Sequence, residues 1–118
     1  MIGSTRQVGV WFHDQPTDMR RSFDGLYAMV CSAMQRSPLS GDLFVFVGKS
    51  RKCTKVLYWD GTGLCVFAKR LERGCFWAPW IKGSLANRRL TMNELQLFLE
   101  GSTLVGKMKL SPEEFTLT

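Results

Sequence analysis

Cys53-Thr54-Lys55-Val56-Leu57-Tyr58-Trp59-Asp60-Gly61-Thr62-Gly63-Leu64-Cys65-Val66-Phe67-Ala68 is the stretch on which the fold turns. Two runs rich in β-branched and aromatic residues, Cys53–Trp59 and 64–71, flank Asp60-Gly61, a hairpin-turn signal. Upstream, Leu43–Val47 is a third strand candidate. Downstream, past Arg73-Gly74, residues 75–80 are a further extended stretch. Residues 43–80 therefore predict an antiparallel meander. In the first of these strands both alternating sets are apolar: Leu43, Val45 and Val47 on one, Phe44 and Phe46 on the other. A strand with one wet face would alternate with polar residues. This one is expected to be covered on both sides, by helices, by a tail or by a second subunit.

Working outward, residues 8–12 read as a short first strand. Pro16 and the cap signal Thr17-Asp18 follow, and Met19, Phe23, Leu26, Tyr27, Val30 and Met34 then recur at helical spacing. They predict a helix over 17–35. Residues 37–42 break the pattern as a loop. Residues 82–90 look like a linker. Thr91 with Glu94 forms a capping box, Leu95, Phe98 and Leu99 supply an apolar face, and Gly101 ends this second helix. Ser111-Pro112-Glu113-Glu114 repeats a helix-start signal in the tail. The expected class is α+β: a mostly antiparallel meander sheet, one long N-terminal helix and a shorter C-terminal helix. One domain is expected across 1–118, with its core in 8–101 and a tail in 102–118.

A chain of 118 residues, 45% hydrophobic and 12% aromatic, carries enough apolar material for one packed core. No run of about 18 apolar residues exists to span a membrane, and residues 1–6 lack the apolar stretch of a signal peptide. A cytoplasmic location with no membrane partner is expected. The net charge of +6 suits an anionic partner such as DNA. Cys31, Cys53, Cys65 and Cys75 form no Cys-x-x-Cys pair, and His13 is the one histidine. Zinc sites use closely spaced ligand pairs, so scattered core thiols in a reduced protein are expected, with no metal and no cofactor.

Gly48-Lys49-Ser50 looks like the end of a phosphate-binding loop, but Leu43 stands where that motif needs glycine, and a strand follows instead of a helix. A turn is the better account. No nucleophile–base pair is legible, since His13 is alone and is expected to be exposed. Asp60, Glu72 and Lys69 share one hairpin, as nuclease ligands and their lysine sometimes do. Asp60 lies at the turn and Glu72 at the far end, about 25 Å apart at the usual strand rise, so they hold no common metal. The basic residues are more informative. With the turn at 60–62, Lys52 and Lys55 approach Lys69, Arg70 and Arg73 at the opposite end of the hairpin, and Arg51 extends the group. Such a cluster suits phosphate; a solvated strand end neutralised by Glu72 is the blander explanation. Most aromatics are expected in the core, with Trp77 and Trp80 the most exposed.

Several blocks together resemble a known family, the small TnpB-type accessory proteins encoded by the second reading frame of insertion-sequence-66 transposons, distinct from the RNA-guided nuclease that shares the name. The blocks run from Thr17 through Asp18-Met19-Arg20-Arg21 to Leu26, from Gly41-Asp42 to Phe46, from Lys55 through Trp59-Asp60-Gly61 to Leu64, from Lys69-Arg70 through Arg73-Gly74 to Phe76, and from Leu95 to Gly101. They cover about residues 8–101 in one colinear order. Ser22 replaces the glycine expected after the basic pair, and Ala78-Pro79 replaces a Trp-Pro. The resemblance implies a role supporting transposition, beside a transposase that cuts and joins the DNA, and it transfers no catalytic residue; a non-catalytic accessory is the expected function. The expected partners are DNA (transposon ends or any sequence) and the transposase of the same element, with self-association a further expectation. Arg51, Lys52, Lys55, Lys69, Arg70 and Arg73 are the expected nucleic-acid contacts. The alternative is a metal-dependent nuclease-like subunit using Asp18, Asp24 and Asp60.

Overall fold

The computed structural model describes residues 8–82 and 88–101. Among them, strands β1 (Val10–Phe12), β2 (Leu43–Val47), β3 (Cys53–Trp59), β4 (Leu64–Arg70) and β5 (Arg88–Leu90) form one sheet in the order β4-β3-β2-β1-β5. Helix α1 (Phe23–Ser32) connects the parallel pair β1 and β2, and α2 (Met92–Leu99) follows β5. All other pairings are antiparallel. The α+β class and the β2–β3–β4 meander match the sequence expectation.

Strand β2 sits at the centre of the sheet, and this explains its two apolar sets. Phe44 and Phe46 pack with Leu57 against Leu26 and Val30 of α1 and Met34 just beyond its end. Val45 and Val47 pack on the opposite face with Val10, Phe12, Val56 and Leu90, under Phe76, Trp77, Ala78 and the α2 residues Leu95 and Phe98. The chain supplies both covers itself, so β2 gives no reason to invoke a second subunit.

Three sequence expectations fail for identifiable reasons. The long N-terminal helix is ten residues, Phe23–Ser32. After β1 the chain keeps running along β2, because His13 N–H donates to the Val45 carbonyl (3.0 Å) and Thr17 N–H to that of Val47 (2.9 Å). The Thr17 hydroxyl, expected near the helix start, is buried without a hydrogen-bond partner among the described residues. Asp18 instead folds a separate turn, its carboxylate accepting from Arg20 N–H at 2.9 Å. This turn drops Met19 onto the α1-side core. There Met19 passes so close to Gly48 that a β-carbon would lie 2.7 Å from its Cγ. At the other end Gln35 adopts a left-handed φ of 53° and stops the helix.

Residues 75–80 are not a strand. Phe76, Trp77 and Ala78 are buried as a lid on the sheet face, and Pro79–Lys82 forms a single 3-10 turn. Proline has no N–H to donate to a ladder. Finally, the segment 82–90 expected as a linker contains β5, whose Leu90 pairs with Val10 and is buried. Three residues, two of them arginine, are too few to show a strand period.

The capping box of α2 forms as expected: Glu94 N–H donates to Thr91 Oγ1 (3.0 Å), and Thr91 N–H to Glu94 Oε1 (3.1 Å). Thr91→Ala is expected to lower stability by about 1 kcal/mol, read as a lower urea midpoint at constant slope. An unchanged midpoint would mean that α2 does not share in cooperative unfolding.

Candidate nucleic-acid interface

The β3–β4 hairpin places the basic residues. At its tip Gly61 takes a φ of 104°, and the Asp60 carboxylate accepts from the N–H groups of Thr62 (2.9 Å) and Gly63 (2.8 Å). This sets the register Trp59↔Leu64 through Cys53↔Arg70, with Lys55 opposite Ala68. Those two amide bonds, foremost, hold the Asp60 carboxyl below the usual carboxylate range. The turn bonds therefore act above the ordinary aspartate pKa, near 3.9, and weaken as pH falls through the lower folded value. NMR titration of the Thr62 and Gly63 amides is expected to show a midpoint below the ordinary one; a midpoint at or above it would mean the bonds do not form.

At the opposite end, residues 48–52 and 71–76 are knitted together. Leu71 N–H donates to the Lys52 carbonyl (2.9 Å), Phe76 N–H to that of Arg51 (2.6 Å), and Lys52 Nζ to that of Gly74 (2.7 Å). Arg51, held at a φ of 61°, turns its guanidinium to the Phe76 carbonyl (3.3 Å). Arg51, Lys52, Arg70 and Arg73 thus share one end of the sheet. The side chains of Arg70 and Arg73 are exposed and make no hydrogen bond or ion pair, and Glu72 pairs with none of the group, among the described residues.

Lys55 and Lys69 diverge. Lys55 is level with Phe46, on the α1 face, and its Nζ donates to the Arg21 carbonyl (2.8 Å). Lys69 is level with Thr54 and Val47, on the other face, and its Nζ donates to the Leu99 carbonyl (2.6 Å) at the last turn of α2. A cation there complements the helix dipole, so Lys69 has a structural task. A shallow depression of about 410 Å³ runs past Met19, Cys53, Lys55, Ala68, Arg70 and Glu72.

The exposed aromatics are not those expected. Trp77 is buried and Trp80 half-buried. Phe23 (47% exposed) and Tyr27 (36%), four residues apart on α1, and Phe67 (44%) on β4 face solvent instead. From spacing alone Phe23 and Tyr27 look like core; they flank the stripe Leu26-Val30-Met34 that is actually buried.

The acids of the nuclease alternative stand apart. Asp18 pairs with Arg20 (2.7 Å), whose hydrogen bonds hold its carboxyl well below the usual range. Asp24 is exposed in the first turn of α1, and Asp60 is occupied at the hairpin tip. Among the described residues no three His, Cys, Asp or Glu side chains gather as metal ligands would. The four cysteines are free, none of them in the core: Cys31 is exposed and the others half-buried. Burial first, then the Asp60 charge, raises the Cys65 thiol pKa. His13, expected on the surface, is buried at 5% exposure beside Phe46. Among the described residues no helix is long and apolar enough to cross a membrane.

Residues 8–109 match the family described as IS66 Orf2-like protein. The chain belongs to this family. Two relatives from Sinorhizobium fredii carry the names uncharacterized protein y4jC and uncharacterized protein y4hO. The first is 35% identical over 99% of this chain and 81% of its own length. The second is 43% identical over 70% of this chain and 72% of its own length. No solved structure matches. The blocks of the IS66 Orf2-like resemblance fall on joints of the fold: the Asp18 turn and the start of α1, the entry to β2 at Asp42, the Asp60 turn, and the knitted end at 69–76.

Proposed function

We propose that this IS66 Orf2-like protein is a non-catalytic accessory subunit of insertion-sequence transposition. It binds the phosphate backbone of DNA in the bacterial cytoplasm and works beside the transposase of its element. Family membership supports the transposition role. The observation that carries DNA binding is the knitted strand end, where Arg70 and Arg73 are exposed beside Arg51 and Lys52 without a carboxylate partner among the described residues. Like charges held this close repel one another, and phosphate is the counterion that forked guanidinium donors match best. Phe23 and Tyr27 offer aromatic surface of the kind that supports nucleic-acid contact.

The test is a mobility-shift assay on transposon-end DNA, with and without the transposase, using the wild type and Arg70→Ala/Arg73→Ala. Binding by the wild type and its weakening in the variant are expected. A wild type that shifts no DNA and does not alter the transposase's shift would refute the proposal. No observation favours the nuclease alternative.

A further inference from the structure

A second pair of cations lies away from the β4 edge, one in the segment after α1 and one on β5, and spacing along the sequence does not reveal it. Trp11 on β1 pairs with Phe44 of β2 and with Arg89 of β5. Arg36 follows the left-handed Gln35, a reversal that lays its guanidinium carbon 3.1 Å from the centroid of the Trp11 ring. The Arg89 guanidinium carbon lies 5.6 Å from the same centroid. The indole is held in place, since its Nε1 donates to Asp42 Oδ2 (3.2 Å) while Asp42 Oδ1 accepts from Gly9 N–H (2.9 Å). Both arginines are exposed, and neither guanidinium forms an ion pair or a hydrogen bond among the described residues.

The two forks lie within about 9 Å of each other because they share one ring. That is inside the Debye length of about 10 Å at 0.1 M salt, so each raises the cost of the other's charge. The ring partly offsets this through its negative face, and an anion seated between the forks would offset it further. We propose that Trp11, Arg36 and Arg89 form a phosphodiester-binding site for DNA, in which the indole holds the two guanidinium groups ready to grip the backbone. This deepens the DNA-binding reading and rests on it for the source of phosphate, but it uses a different edge of the sheet and different residues. A stack that merely anchors the end of α1 would affect folding and leave DNA binding alone.

Fluorescence anisotropy on a labelled duplex of about 20 base pairs, titrated at four salt concentrations, separates these roles, at about 0.9 of slope per phosphate contact. Arg36→Gln/Arg89→Gln is expected to lower the slope of log affinity against log salt by about 2. Arg36→Lys/Arg89→Lys keeps the charge but loses the fork; it is expected to keep the slope and bind several-fold more weakly. Wild-type slope in the glutamine pair overturns the site. Should that pair fail to fold, wild-type affinity in the lysine pair overturns it. Either result leaves the strand-end reading standing if Arg70→Ala/Arg73→Ala still loses slope. A wild type with no salt-dependent binding overturns both.

Discussion

Phe98→Ala is expected to destabilise the protein by about 3–5 kcal/mol, the usual cost of emptying a buried aromatic site. Phe98 comes from α2 and is fully buried. Its ring meets Phe12 of β1 edge-on at 4.8 Å and Phe76 of the covering segment at 4.9 Å, while Phe12 meets Trp77 at 5.2 Å. These rings join three separate parts of the chain, so a cavity there has no single neighbour able to collapse into it. Against the roughly 5–15 kcal/mol that holds a typical domain folded, this is a large share. Urea unfolding of Phe98→Ala and Phe98→Leu measures it, and the leucine variant is expected to lose markedly less. A loss below about 1 kcal/mol in the alanine variant, far under the cavity range, would show that α2 is not docked on the sheet.

DNA affinity is expected to fall about a hundredfold between 50 and 200 mM salt. Contacts from Arg51, Lys52, Arg70 and Arg73, the residues gathered at one end of the sheet, give a slope of about −3.6 in log affinity against log salt. The structure decides which variant tests this cleanly. Alanine at Lys69 would also remove the ammonium group bonded to the Leu99 carbonyl at the end of α2. The side chains of Arg70 and Arg73 are exposed and bond to nothing among the described residues. Arg70→Ala/Arg73→Ala is therefore expected to lower the slope by about 2 with an unchanged melting temperature, as surface charges contribute little to stability. Anisotropy at four salt concentrations with a parallel thermal melt checks both halves. An unchanged slope would leave the cluster as a solubilising surface.

What the sequence by itself determined were features encoded within a few residues. The Asp60-Gly61 turn, the three strands around it, the Thr91–Glu94 box and the Gly101 stop all have local causes: a left-handed φ, an alternation, a side chain reaching its own backbone. Two of these features, the Asp60 turn and the Gly101 stop, lie within the blocks that carry the family resemblance. The tertiary structure alone decided what depends on the neighbour. The start of α1 was lost to β2, which drew Thr17 into its own hydrogen bonding. Trp77 and His13 were buried by elements distant in sequence. The six basic residues look equivalent as a string, yet Lys69 reaches α2, Lys55 reaches the start of α1, and Arg70 and Arg73 are left to solvent. Arg36 and Arg89 are 53 positions apart and carry no shared signal, but meet over one indole. A charge's task is set by what lies within a few ångströms of it, and in a mixed sheet with a parallel crossover that company comes from the far ends of the chain.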